Sequence, residues 1–418
     1  KEVIKVDERF NIYYATLMKS IFKIIPKEND PNHTWYAAYG VMKNFSAAEE
    51  KRAKMVLQNY TMSVLDAQKS GNWSEADKAL DLIKKYQNKI GAKVVPSYNK
   101  LKFEVLFNEL DIFKRLMSVY LLGGFALLIF VFLRMMSPNL NMSFAFKMVY
   151  LVNIIAFLLH TTGLGLRWYI SGHAPWSNTY ESLVYIAWAL SFSGIIFSRT
   201  SAISLSLTSI MAGITLFVAH LSHIDPQITT LVPVLNSYWL TIHVSVITAS
   251  YGFFGLSMLL AMFCLFLFII KKPGNDNELA RNILEATRIN EMSLIFGLCL
   301  LTAGNFLGGV WANESWGRYW GWDSKETWSL ITILIYSAVI HMRLLKGANS
   351  QYWFAVASMF SFWSVMMTYF GVNFYLSGLH SYASGESIPV PKSIWVSMLI
   401  MIILATLAYF KRKDAQKL

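Results

Sequence analysis

Cysteine is nearly missing from this chain of 418 residues: only Cys264 and Cys299 occur, both inside apolar runs. Two such thiols exclude a disulfide framework and a Cys-x-x-Cys site, and they read as small buried hydrophobes. Charge is also scarce, at 15% of residues against 55% hydrophobic, with a mean hydropathy of +0.40. That composition excludes one large soluble globule and fits a polytopic membrane protein with one sizeable soluble part. Acidic residues are outnumbered by basic ones, 25 to 37, for a net charge of +12. Basic residues are frequent in the first 115 positions, and beyond them they collect in loops between apolar runs; that second group reads as membrane orientation, so no nucleic-acid partner is expected. No Met and no signal peptide precede Lys1. The chain is therefore expected to be part of a longer polypeptide, with targeting unreadable from its start. No repeat of fixed period occurs.

What is present falls into two parts. Residues 1–115 are mostly polar and are expected to form a mainly helical extracytoplasmic domain. Asn29-Asp-Pro-Asn-His-Thr-Trp35 is a turn-rich loop. Residues 46–70 and 74–92 carry apolar positions at three- and four-residue spacing and read as amphipathic helices. Ser74-x-x-Asp77 resembles a helix start. A third helix from about Ser97 is expected to run into the first span, and the few strands expected before the helical domain belong to a missing partner segment.

Residues 116–418 form the second part. Apolar runs long enough to cross a ~30 Å hydrocarbon layer as helices lie near 116–135, 147–168, 179–198, 202–221, 240–270, 291–311, 327–345, 351–373 and 393–410. The fold class expected is an all-α polytopic membrane protein with about nine transmembrane helices in contact with membrane lipid. Alternate loops hold the cations: Arg134 and Lys147, Arg199, Lys271 to Arg288, Arg343 and Lys346, and Lys411 to Lys413. Those loops belong on the cytoplasmic side. The opposite loops, and residues 1–112, then face outward.

Five of the fourteen tryptophans lie between Trp311 and Trp328, where two apolar runs meet. One reading is an interfacial aromatic belt. The other is a flat π-rich platform, favoured by the local, glycine-spaced clustering of Trp311, Trp316, Trp320, Trp322 and Trp328 with Arg318. Asp323 and Glu326 form an Asp-x-x-Glu pattern just before an apolar run, as a capping box does, and so can also fix the loop.

Eight histidines occur. His160 and His341 lie inside spans. For His160 a hydrogen bond to a neighbouring helix is as good an account as function. His341 lies about 21 Å below the outer surface at 1.5 Å per residue, with Arg343 just beyond. The two suit an iron ligand and a partner for an anionic group. His243, at the outer start of a span, and His380, in the last outer loop, can both reach the tryptophan platform. Two imidazoles flanking a flat apolar surface fit haem, with nitrogen ligands for iron and aromatic walls for the macrocycle. His220-x-x-His223 lacks a third ligand and reads as a loop pair.

Trp316-Gly-x-x-Trp320-x-Trp322-Asp323-x-x-Glu326-x-Trp328 resembles the WWD signature of haem-handling membrane proteins. Within that superfamily the chain is most similar to the system II cytochrome c synthases of the CcsA/CcsB (ResC/ResB) type. The resemblance also rests on Ala174-Pro-Trp-Ser-Asn-Thr-Tyr-Glu181, Ser237-Tyr-Trp-Leu-Thr-Ile-His243, His341-Met-Arg343 and Ser377-Gly-Leu-His380-Ser-Tyr. Residues 1–115 look like the end of the CcsB portion of fused CcsBA proteins.

The resemblance implies that His243 and His380 are the external axial ligands of haem b (iron protoporphyrin IX) beside the loop 311–328. It implies that His341 is one of two transmembrane ligands. The other belongs to a CcsB/ResB-like N-terminal half or partner chain, and no position here matches it. The implied activity is that of a cytochrome c haem lyase in a bacterial inner (cytoplasmic) membrane, with the active site on the periplasmic side. Haem moves outward and is joined by thioether bonds to Cys-x-x-Cys-His of apocytochrome c, kept reduced by a thiol reductant pathway. Arg318, Arg167 and Lys392 are propionate candidates by charge and side, each equally readable as a solvated loop cation. Two alternatives stay open: a WWD protein that hands haem to a carrier without attaching it, and a transmembrane haem electron carrier.

Overall fold

The computed structural model describes residues 2–136, 143–199, 201–221, 224–228, 231, 237–271, 277–376, 378 and 390–411. The chain divides into two compact units, Lys1–Leu101 and Lys102–Leu418.

The first unit holds helices α1 (Glu2–Leu17), α2 (Ala38–Asn44), α3 (Ala47–Ser70) and α4 (Ser74–Ile90). It also holds one small hairpin, β1 (Ile25–Pro26) antiparallel to β2 (Trp35–Tyr36), with Ile25 opposite Tyr36. Between them, the Asp30 carboxylate accepts from the amides of Asn32 and Thr34, each at 3.0 Å. Hydrogen bonding, the Thr34 side chain first, holds the Asp30 carboxyl below the usual carboxylate range. Helix α4 starts at Ser74 as expected, and a capping box starts α3 at Ser46–Glu49: Glu49 accepts from the Ser46 amide at 2.9 Å and its hydroxyl at 2.6 Å. At α4 the Asn72 side chain accepts from the Ser74 amide instead. Gly71, at φ 74°, ends α3 in the left-handed region and turns the chain toward α4.

Among its described residues, the regular elements of the second unit are all helical. Nine helices among the described residues are long and apolar enough to cross a membrane, so the protein is a multi-pass membrane protein. In order they are α5 and α6 (Tyr98–Leu110, Ile112–Met136), α7 (Ser143–Ser171), α8 (Thr179–Ser198), α9 (Ala202–Ala219), α10 (Tyr238–Ile270) and α11 (Asn277–Trp316). Then come α12 (Ser324–His341), α13 and α14 (Gln351–Met366, Val372–Tyr375, joined by a π turn over Met367–Gly371) and α15 (Lys392–Phe410). The helix expected from Ser97 into the first span is broken only at Asp111, whose φ of 41° separates α5 from α6.

Helix α10 is central and packs against α8, α9, α11, α13 and α15. Lipid tails supply no hydrophobic drive between helices, so close packing and interhelical hydrogen bonds hold such a bundle. Ser257 donates to Asn290 Oδ1 at 2.6 Å and Ser293 to the Phe253 carbonyl at 2.7 Å, joining α10 to α11. Ser209 donates to Asn153 Oδ1 at 2.6 Å, joining α9 to α7. His160 is wholly buried, donates through Nε2 to the Val184 carbonyl at 3.1 Å and accepts from Tyr120 at 3.3 Å. Both ring nitrogens are thus used in helix packing.

Candidate functional site

The ends of α7, α8, α10, α11, α12 and α14 enclose a cavity of about 740 Å³. One wall is Trp311 and Trp320 with Tyr319; another is Trp168 and Trp176; His243 and Lys325 reach in from different helices. The remaining polar lining includes Asn305, Glu326, Ser329, Thr368 and Asn373. A mostly apolar cavity of this size with a few convergent polar groups is what small-molecule and cofactor sites look like.

His243 is positioned by α11. Its Nδ1 lies 2.8 Å from the Gly304 carbonyl, which can only accept, so Nδ1 carries the proton and Nε2 the lone pair. A backbone carbonyl that fixes the tautomer in this way is the usual partner of a metal-ligating imidazole. One turn further on, a Cβ at Gly308 would strike the imidazole ring. Only glycine at 308 leaves room for it. The ring also lies nearly parallel to Trp311, with 13° between planes and centroids 6.3 Å apart.

The tryptophan stretch is in part helical, because α11 runs to Trp316. Trp311 is 2% exposed, and Trp316 packs against it edge-on at 4.7 Å. The turn over 317–323 carries Trp320 and Trp322, perpendicular at 5.7 Å. Asp323 and Glu326 form the expected capping box at the start of α12. Asp323 accepts from the Lys325 amide at 3.2 Å, and Glu326 accepts from the amides of Asp323 at 3.2 Å and Gly321 at 2.8 Å. Glu326 thereby grips both sides of Trp322, whose φ is 55° and whose side chain is 71% exposed. A left-handed aromatic residue is costly and persists where its surroundings impose it. Gly378 sits so close to the Asp323 carboxylate that a Cβ there would collide with it. The loop after α14 therefore meets the capping box two positions before His380, which itself lies outside the described residues, as does His223.

Other sequence-selected residues lie elsewhere. Trp328 faces a second groove with Trp363 and Met367. Arg318 and Lys392 are exposed and do not line the cavity. Arg167 does not line it either: its guanidinium is buried, bonded to Glu181 at 2.9 Å and to the carbonyls of Pro226 at 2.9 Å and Gln227 at 3.1 Å. His341 is exposed at the far end of α12, about 26 Å from Ser324 at 1.5 Å per residue. Its Nδ1 donates to the Ser337 carbonyl at 2.7 Å. Arg343 pairs with Glu291 at 2.8 Å.

Sequence reasoning did not select Lys325, Trp168, Trp176 or His173 for the site. Trp176 could have been found, since the Ala174–Glu181 stretch is distinctive; its indole donates to the Thr241 carbonyl at 3.1 Å, two residues before His243 on α10.

The fold and cavity define a class: a multi-pass membrane protein with a histidine held against tryptophan walls at one end of its bundle. The cytochrome c assembly protein family model matches residues 176–380, which include most of the cavity lining. The chain is 48% identical to protein NrfI of Wolinella succinogenes over 408 residues, 98% of this chain but 45% of NrfI. It is 38% identical to the cytochrome c biogenesis protein CcsA of Guillardia theta over 254 residues, 55% of this chain and 83% of that one. To the CcsA of Prochlorococcus marinus (strain MIT 9301) it is 35% identical over 289 residues, 61% of this chain and 92% of that one. The chain belongs to the cytochrome c assembly family of CcsA type, and spans under half the length of the NrfI it matches.

Proposed function

We propose that this chain is the CcsA-type part of a system II cytochrome c synthase. Haem b is its substrate. It is held in the aromatic cavity and joined to the Cys-x-x-Cys-His segment of apocytochrome c. The observation that carries the reading is the His243 arrangement: a tautomer fixed by Gly304, a glycine that makes room, and tryptophan on one side. Such a cavity suits a flat, apolar, iron-bearing macrocycle. His380 is the second external ligand, carried by the loop that meets Asp323 through Gly378.

In the reaction each cysteine S–H adds across a vinyl group: sulfur bonds to one carbon, hydrogen ends on the other, and no electrons are gained or lost overall. The thiols must arrive reduced, which a thiol reductant pathway supplies. The chain's own contribution is orientation, ligation and exclusion of water, so no residue here acts as nucleophile. The exposed Trp322 and the open rim beside it suit contact with the incoming apocytochrome. His341 and Arg343, at the opposite end of α12, would take haem on its way outward. The exposure of His341 fits a site completed by the CcsB/ResB-like half or partner chain. Residues 1–115 are then the end of that half's extracytoplasmic domain, residues 116–418 the haem-handling domain, and the setting a bacterial inner membrane with the cavity on the periplasmic side.

The test supplies the purified chain with reduced haem and a Cys-x-x-Cys-His peptide. A peptide mass raised by one haem, stable to acidic organic extraction, is expected. Complete extraction of the haem in its free form would contradict attachment and leave delivery alone.

A further inference from the structure

Lys325 is a cation on the wall of an otherwise largely apolar cavity. It sits in the first turn of α12, and its Nζ donates to Asn373 Oδ1 at 2.8 Å. Among the described residues it makes no ion pair. Asp323, two positions earlier, is the near carboxylate, but it serves as the helix cap and meets Gly378. The ammonium has three N–H groups and a neutral amide satisfies one of them. A cation removed from water in this way gains most from an anion in the same cavity. A cation lining a largely apolar cavity that also holds His243 calls for one kind of occupant: a ligand that is mostly apolar, carries an iron-binding face and bears an acid group at one edge.

The geometry points to Lys325 as the residue that binds a carboxylate of the cavity's ligand, with Asn373 holding the ammonium in place. Resting on the haem reading above, this assigns the acid edge of the macrocycle to the α12 side of the cavity, and not to Arg318, Arg167 or Lys392. It also sets the rotation of the macrocycle about the iron axis. The vinyl edge is turned away from α12, so Lys325 is a positioning residue rather than a catalytic one.

The experiment titrates the full chain with haem and with haem dimethyl ester, in which both carboxylates are masked, following absorbance in the Soret region. In the wild type, free-acid haem is expected to bind tighter than the ester by on the order of tenfold, the worth of one charge-assisted bond. In Lys325→Met the preference should vanish while the ester binds as before, and Lys325→Arg should restore part of it. Thermal melting of each variant checks folding. Equal binding of acid and ester by the wild type would overturn the assignment while leaving the haem reading intact. A wild type that binds neither macrocycle would overturn both.

Discussion

His243 owes its orientation to two positions on the neighbouring helix, Gly304 and Gly308. Their separation by one turn puts a carbonyl on one ring atom and open space beside another. Replacing Gly308 by Ala adds one methyl in a helix, a change worth roughly 1 kcal/mol in favour of the helix where space allows. Here the methyl meets the imidazole, and haem affinity should fall about 10–100-fold, as when an outer partner of a metal ligand is lost. Titration with haem, beside a thermal melt, reads both effects; unchanged affinity would remove His243 from the site. Trp322 makes the opposite case, with an exposed side chain on a left-handed backbone. Trp322→Gly should relieve roughly 1–2 kcal/mol of backbone cost, keeping or raising the melting temperature while thioether formation drops. A destabilised variant with normal attachment would make Trp322 a packing residue.

Between elements, polar bonds do what apolar contact cannot do in lipid. The buried Arg167–Glu181 pair ties α7 to α8, and the same guanidinium holds the chain at Pro226 and Gln227. Removing one partner strands the other charge, so Glu181→Leu should cost about 3–5 kcal/mol, seen as a lower melting temperature in detergent. The double change Arg167→Met with Glu181→Leu should recover much of that loss; a double variant no better than the single one would show that the carbonyl contacts of Arg167 matter more than its charge. This pairing also shows why Arg167 reads wrongly from sequence. Charge and side are visible in the chain, but the carboxylate that claims the guanidinium is set by how two helices pack. Lys325 fails to register for the reverse reason: inside an Asp-x-x-Glu cap it looks like any surface lysine. The spans themselves are legible because an apolar run of membrane length has few other uses. The early part of α11 is not, since Glu278, Arg281, Glu285 and Arg288 give it the composition of a loop. The capping box that starts α12 was readable because two backbone amides dictate the residue types and their spacing.

Across the whole molecule, the cavity and His341 lie at opposite ends of α12, and the loop charges place those ends on opposite membrane faces. Cysteines introduced at Ser315 and Lys346, with Cys299 changed to Ser, should label from opposite sides in sealed vesicles; labelling of both from one side would undo the orientation. On the proposed reading, that arrangement would let one chain receive haem on one face and present it on the other. The centre of the proposal is haem binding at His243, and absorption spectroscopy of the purified, haem-supplemented chain tests it most directly. The wild type should show a low-spin bis-histidine spectrum, and His243→Ala should lose it while melting like the parent. The same low-spin spectrum in wild type and His243→Ala would contradict the account.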